Sequence, residues 1–468
     1  MSSLHGQEIH RVSLPPFDKL VATRDIGGYA TDEHNWSPYL KTITGQNEVE
    51  EVLRDNIATL PTVDCKFSHR LVDFSDNGDI VRCSIEDCAT GRVYSVSTDY
   101  LVACDGGRSI VRKSLGITYE GDANLASFVS IFFRAPEMIN HHSFGHGNIF
   151  FPLRREYRGF LLTWDSDCTY TYHLIVDEGT DWREIDPKLA ITKLVDADFD
   201  IDVLSVQPWT AHALVAQNYI QGRVALAGDA AHLFSPTGGF GMNTGVSDAI
   251  DIAWKLQALL EGWGGERLLD SYHQERRPIG ERNTREAADC FHRLYAVMQN
   301  GKELDDASVS GRELRKALAA DIKDQEKLIA SSGTLLGYRY EDSDIIVPDG
   351  TEEPPDDPRR YIPVARPGHR APHVWLENGI ALFDKLGKYF TLLQLSALDN
   401  ESVYFTQYAQ EIGLPLEVLN LLDDNVRKIY ESDLILIRPD LMVAWRLAPG
   451  AKVNQIEARN ILDCVRGA

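Results

Sequence analysis

The chain contains no run of about 18 apolar residues, the length that spans a hydrocarbon core, so a membrane-crossing helix is not expected. Its start holds Asp18, Lys19, Arg24 and Asp25 and lacks the apolar stretch of a signal peptide. Cysteine is sparse and unpatterned. Seven residues, an odd number with no C-x-x-C pair, fit neither a disulfide framework nor a zinc site, and a reducing cytoplasm is the expected setting. His141, His142 and His146 have no acidic or cysteine neighbour at ligand spacing and read as loop residues, so no metal is expected. Nowhere does G-x-G-x-x-G follow a predicted strand, and Gly27-Gly28 reads as a turn. Basic residues are in deficit, 47 against 70 acidic, and the net charge of −23 argues against nucleic acid or an anionic membrane as partner. An anionic ligand would need local positive charge.

The 468 residues suffice for two or three domains, and they are organised around residues 222–254, GRVALAGDAAHLFSPTGGFGMNTGVSDAIDIAW. Residues 224–227 are short, apolar and partly β-branched, which predicts a buried strand. Gly228-Asp229 ends it, and a loop with Pro236, Gly238, Gly239 and Gly241 follows. From Asn243 the period changes. Val246, Ala249, Ile250, Ala253 and Leu256 recur at helical spacing and predict a helix with one apolar face. Glycines allow close backbone approach, and a helix start offers unpaired N–H groups and positive dipole charge, so the stretch suits a polar or anionic ligand. Asp229, at the strand end, is placed to accept hydrogen bonds from a sugar-like hydroxyl. The same pattern also describes a plain strand-turn-helix connection without a ligand.

Upstream, residues 44–60 read as a helix with Val49, Val52, Leu53 and Ile57 on one side. Strands at 71–74 and 80–85 flank Asp76-Asn77-Gly78, a hairpin signal in which Asn-Gly supplies positive φ, and Val93, Tyr94 and Val96 mark a further strand. In YLVACDGGRSIVRKSLGI, residues 100–117, a strand at 101–103 meets an Asp105-Gly106 turn, and Ser109 caps a basic helix with Arg112 and Lys113. Residues 121–209 are β in texture and predict an inserted antiparallel sheet. Its aromatics Phe150, Phe160, Trp164, Tyr170 and Tyr172 are each expected in core rather than pocket. LLDSYHQERRPIGERNTREAADCF (268–291) is helical, VPDGTEEPPDDPRR (347–360) marks a boundary, and the remainder alternates strands and helices.

The 222–254 string closely resembles the second flavin-binding motif of the FAD-dependent aromatic hydroxylases, the class A flavoprotein monooxygenases. Residues 100–117 resemble that family's DG motif, and 268–291 the segment that follows its GD motif. ARPGHRAPHVWL, FTLLQL and LILIRPDLMVAWR, after GYRYEDSDIIVPDG, resemble the thioredoxin-like C-terminal domain of phenol-hydroxylase-type enzymes, the chlorophenol monooxygenase branch fitting best. The resemblance implies that Asp229, with Gly228, binds the ribityl chain of FAD. Pro236 and Gly239 would line the ring, Met242 and Asn243 would face its pyrimidine edge, and Gly238 and Gly241 would also be cofactor-binding. Gln46 and Arg54 would contact the flavin, while Asp105 and Arg108 would lie at the pyrophosphate, where basic side chains offset its charge. It names no catalytic residue. The implied reaction is hydroxylation of a phenolic small molecule by a C4a-hydroperoxide of the flavin, with NAD(P)H as transient co-substrate and no metal.

Departures from the family are Ser235, where many members have a second proline, and Leu441, where a glycine usually follows RPD and a turn is expected to change. The family's opening βαβ unit, whose glycine fingerprint holds the pyrophosphate, is not in the printed sequence. The AMP half of the site is therefore expected to be open and FAD binding micromolar or weaker. A flavin-fold remnant acting by binding or oligomerisation is the alternative to an active monooxygenase. The expected fold is α/β: an incomplete doubly wound FAD domain at 1–120 and 216–335, a substrate sheet at 121–215, a linker at 336–360 and a thioredoxin-like domain at 361–468. That last domain is expected to stand apart and serve assembly, with a homodimer as the expected state.

Overall fold

The computed structural model describes residues 1–12, 36–39, 43–165, 168–299, 301–323, 331–376 and 379–468. Helix α1, Gln46–Ala58, has no buried residue, and Val52 and Leu53 are 68% and 52% exposed. Among the described residues, the apolar side predicted for it meets nothing that buries it. Strands β1 (His69–Asp76), β2 (Val81–Asp87) and β3 (Arg92–Thr98) form an antiparallel sheet in that order. At its first turn only Gly78 takes positive φ, +92°. Asn77 instead accepts the Asp79 and Ile80 N–H groups through Oδ1, so it shapes the turn as a side-chain acceptor rather than by left-handed backbone.

Strand β4 (Leu101–Ala103) and the short helix α2 (Ile110–Ser114) follow, with Ser109 Oγ accepting the Arg112 N–H as predicted. Strands β5 (Tyr119–Arg134), β6 (Ile149–Phe150), β7 (Gly159–Thr163) and β8 (Thr169–Val176) belong to the predicted antiparallel sheet. Helix α3, Pro187–Val195, interrupts what the sequence reads as continuous β texture. Asp186 caps it, Pro187 sets its first turn, and Ile191, Leu194 and Val195 bury against Val129, Ile131, Phe133, Tyr170 and Tyr172 on one sheet face. Strand β9 (Asp202–Ala216) completes the sheet. Strands β10 (Ile220–Gln221), β11 (Val224–Leu226) and β12 (His232–Leu233) follow, giving orders β12-β9-β5-β8-β7-β6 and β10-β11-β4. In the smaller sheet β11 runs parallel to β4, with Val224 opposite Leu101, and every β11 residue is buried, as covered parallel strands require.

Helices α4 (Phe240–Leu260) and α5 (Arg267–Val297) cross the flavin unit, and α5 carries Pro278 within it. The buried face of α4 is Phe240, Thr244, Asp248, Asp251, Ile252, Trp254, Lys255 and Ala258. Its predicted apolar stripe is exposed instead, Val246 by 51% and Ile250 by 50%. Charges are taken inward because partners on α5 and beyond neutralise them there, a tertiary gain that outweighs the stripe. Helices α6 (Val309–Lys323) and α7 (Ser332–Leu336) lead to β13 (Phe390–Gln394), α8 (Glu401–Glu411), β14 (Leu416–Asn420), α9 (Asp424–Tyr430), β15 (Leu434–Ile437), β16 (Val443–Arg446) and α10 (Gln455–Val465). Their sheet, β14-β13-β15-β16, has one parallel pair, β13 with β14, and otherwise antiparallel pairs, in keeping with the thioredoxin-like expectation.

The unit from 361 onward does not stand apart in the packing. Trp254, Ala258, Trp263 and Leu268 of the flavin unit share one core with Phe390, Leu392, Phe405 and Leu436. The Pro/Asp-rich stretch before it is a pinned strap, not a loose linker. Asp349 pairs with Arg446 at 2.6 Å, and Asp356 with Arg282 at 2.6 Å.

Candidate flavin site

At the end of β11 the chain turns through Gly228 at φ +59°, a left-handed conformation that L side chains resist. A Cβ on Gly245 would lie 3.2 Å from the Gly228 Cα, so glycine there lets α4 cross directly over the turn. Gly245 is a residue that sequence reasoning passed over. The turn is fixed from below by Asp248, fully buried, which accepts the Gly228 N–H at 3.2 Å, pairs with His232 Nε2 at 2.7 Å and with Arg276 Nε at 2.9 Å. Burial alone would raise this carboxyl. His232 and Arg276 outweigh it and hold Asp248 below the ordinary carboxylate range. The sequence signal for this hub was present, since Asp248, Asp251 and Lys255 put three charges on one side of a helix.

Asp229 stands above that hub. Its backbone carbonyl accepts the Tyr119 hydroxyl at 2.7 Å, while its carboxylate has no partner among the described residues. Burial raises its pKa, and His232 offsets only part of the effect. An exposed carboxylate without a donor among the described residues is open to accept ligand hydroxyls.

The loop after β12 is anchored by Ser235 and Thr237, whose hydroxyls both donate to the Ala287 carbonyl of α5, at 2.8 and 2.6 Å. Ser235, the departure from the family's proline, thus provides a buried anchor that proline could not make. Pro236 precedes a short turn in which Gly238 and Gly239 take φ of +84° and +67°. Gly239 starts α4 with no side-chain cap and no heavy atom within 4 Å of where a Cβ would lie, which leaves the first-turn N–H groups open. Gly241 is half-buried beside Phe234, and Met242 is exposed. Asn243 turns its amide back onto the Gly239 carbonyl at 2.8 Å rather than outward.

In the DG segment Asp105 accepts the Ile110 N–H at 2.8 Å and so tethers α2. Arg108 is exposed and pairs with no acid among the described residues, so its charge is available. Arg112 is not, because it is buried, donates to the Ile117 carbonyl at 2.9 Å and covers the Tyr119 ring at 3.8 Å. Its role is to hold β5 against α2, not to offset a phosphate. Gln46 and Arg54 lie on the exposed α1 and both bond Glu50, at 2.7 and 3.1 Å. The structure gives them no contact with the Gly228–Asn243 region. Those two residues are the part of the predicted set that does not converge.

Below the motif, three carboxylates, Asp251, Glu275 and Asp440, come together with two cations. Lys255 Nζ meets Asp251 at 2.7 Å and Glu275 at 2.6 Å, and Arg438 meets Glu275 at 2.5 Å and Asp440 at 2.6 Å. Ammonium and guanidinium groups take the positions between the acids, so the cluster is an ion-pair network joining α4 and α5 to the C-terminal unit.

The residues present fit FAD in its ribityl and ring portions. A free carboxylate at a strand end, two left-handed glycines and an uncapped start of a 21-residue helix form a cradle that a Cβ would fill. Such a strand-turn-helix defines a flavin-binding α/β protein. The family model described as FAD binding domain matches residues 16–287, and that described as aromatic-ring hydroxylase, C-terminal, matches residues 364–467. The chain belongs to the FAD-dependent aromatic-ring hydroxylases. It is 31% identical to the FAD-dependent monooxygenase opdD of Penicillium oxalicum over 85% of this chain and 80% of that protein. It is also 31% identical to the 4-methyl-5-nitrocatechol 5-monooxygenase of a Burkholderia species, over 88% of this chain and 76% of the relative. Among solved structures, the flavin-dependent monooxygenase PieE in complex with FAD and substrate superposes with a TM-score of 0.85 at 26% identity, covering 99% of this chain and 85% of that one. None of these likenesses supports a non-catalytic remnant. The chain is an FAD-dependent monooxygenase by family. Among the described residues, no helix is long and apolar enough to cross a membrane.

Proposed function

We propose that the chain hydroxylates a phenolic ring, using NAD(P)H and O₂, with Asp229 as the principal ligand of the flavin ribityl chain. The observation that carries this reading is the unpartnered Asp229 carboxylate beside the open start of α4. Bound there, FAD supplies the oxygen-activating chemistry. The chain's own residues hold and orient it. Asp229 accepts ribityl hydroxyls, the α4 N–H groups meet a ring carbonyl, and the Ser235–Thr237 anchor fixes the loop that lines the ring. Arg108 offers positive charge to a phosphate, of the flavin or of the pyridine nucleotide. A catechol named as substrate of one relative supports a phenolic class, because a catechol is itself an oxygenated ring.

Asp229→Ala should weaken FAD binding about tenfold to a hundredfold, the loss of a charge-assisted hydrogen bond of roughly 1.5–3 kcal/mol. Titration with FAD, followed by flavin fluorescence, measures it, and unchanged affinity removes Asp229 from the site. With FAD, NADPH and 1-naphthol, NADPH oxidation should be matched by hydroxylated product. No NADPH oxidation above that of free FAD, with any phenol tested, would return the non-catalytic alternative.

A further inference from the structure

The register of the large sheet sets four side chains in one row across its strands. Ser130 lies opposite His173 and Gln207, and His173 lies opposite Phe160. Side chains alternate between faces, so this row shares a face with Phe128 and Trp209, two residues along the strands. That face is turned toward α5: Phe128 meets Phe291 edge-on at 6.3 Å, and Phe291 lies one helical turn beyond Ala287, the anchor of the flavin loop. The opposite face is closed by α3. The row therefore lies on the sheet face that packs toward α5, beside the core of Phe128, Phe291 and Leu294.

Within it, hydrogen bonding fixes one tautomer. Trp209 Nε1, a donor only, gives its proton to Ser130 Oγ at 2.6 Å. Ser130 has one proton of its own, and its one other contact is His173 Nδ1, at 2.6 Å. Ser130 Oγ has lone pairs for two donors, but if Nδ1 also donated, the serine proton would have no acceptor among the described residues. The arrangement that uses every donor has the serine donate to Nδ1 and the proton of the neutral ring on Nε2. Burial holds the imidazole neutral, with its pKa lowered to about 4. The ring is clamped by Phe160, stacked at 4.5 Å, and by the edge of Trp209 at 5.8 Å. Nε2 has no partner among the described residues and is not among the side-chain atoms sealed from solvent.

We propose that His173 Nε2–H is the donor that seats an oxygen of the aromatic substrate, a phenol or ring carbonyl, with Ser130 and Trp209 as the positioning residues that fix its tautomer. This rests on the hydroxylase reading above. A flat ring has aromatic neighbours here in Phe160 and Trp209, and the single fixed donor selects oxygenated rings over bare hydrocarbons. No proton is transferred. The histidine orients the ring and keeps its own hydrogen.

The test compares 1-naphthol with naphthalene, of the same ring size, on the FAD-loaded chain, with binding read by quenching of tryptophan fluorescence. His173→Phe should weaken 1-naphthol about tenfold and leave naphthalene unchanged. His173→Gln, which keeps an N–H donor, should restore part of the loss, and Ser130→Ala should weaken 1-naphthol selectively by a smaller factor. In turnover the defect should appear in KM more than in kcat. Equal 1-naphthol affinity in His173→Phe and the parent overturns the proposal. So does parallel loss of naphthalene, which would mark the residue as merely structural. If the parent binds neither ring, the hydroxylase reading of this face fails, and the proposal with it.

Discussion

Leu441 occupies the position where a glycine was expected after Arg438-Pro439-Asp440, and it takes φ +66°. Its N–H donates to the Arg438 carbonyl and its own carbonyl accepts the Ala371 N–H, so the turn is locked on both sides while the side chain strains it. A left-handed non-glycine residue costs about 1–2 kcal/mol, and glycine in its place loses about 0.5–1 kcal/mol to chain entropy. Leu441→Gly should raise stability by roughly 0.5–1 kcal/mol in urea denaturation. A decrease would show that packing of the leucine outweighs the strain. Ser235 is the converse case. There a departure from the family adds a buried hydrogen bond, from Ser235 Oγ to the Ala287 carbonyl, that no local pattern predicts.

At the scale of elements, α4 is the clearest instance of patterning overruled. Its apolar stripe at helical spacing is exposed, and the face with Asp248, Asp251 and Lys255 is inside. In the network below the motif, three acids face two permanent cations, so one carboxyl is left to hold a proton. Burial, with Glu275 and Asp440 adding to it against Lys255 and Arg438, pushes Asp251 up to about 7. A folded-state pKa above the unfolded one favours the folded chain at low pH. This contribution is complete below the ordinary aspartate value of 3.8 and is lost as pH rises through about 7. Over that window the parent should lose roughly 1.4 kcal/mol per pH unit relative to Asp251→Asn, whose amide cannot ionise. Paired denaturation curves from pH 5 to 8 give that difference directly. A constant difference across the range would mean that Asp251 stays ionised beside Lys255.

The whole molecule is tied together by Arg438, which reaches from the C-terminal unit into α4 and α5 and is fully buried. Arg438→Met removes the cation and leaves Glu275 and Asp440 short of a partner, which should cost about 3–5 kcal/mol. Because Trp254, Trp263 and Leu268 share a core with Phe390 and Phe405, the loss should appear as one earlier transition of the whole chain. Two separated transitions, with only the later residues destabilised, would restore the picture of an independent C-terminal domain.

Sequence alone determined the local chemistry of this protein: the β11 strand end, the positive-φ glycines after it, Ser109 as a cap, the antiparallel texture of the inserted sheet, and Asp229 as the carboxylate of the turn. These follow from neighbours in the chain, through backbone sterics, capping and periodicity, and so can be read in order. Tertiary structure decided the rest. That Arg112 is buried on Tyr119, that α1 finds no core among the described residues, that charges rather than valines line the inner face of α4, and that the Pro/Asp stretch is pinned depends on partners the fold brings together, 97 positions apart for Asp349 and Arg446 and 187 for Asp251 and Arg438. The Ser130–His173–Trp209 set depends on strand register, which places residues 43 and 79 positions apart within one hydrogen-bonded group. No local pattern encodes that pairing, because the free energy that selects it comes from burying the whole sheet at once.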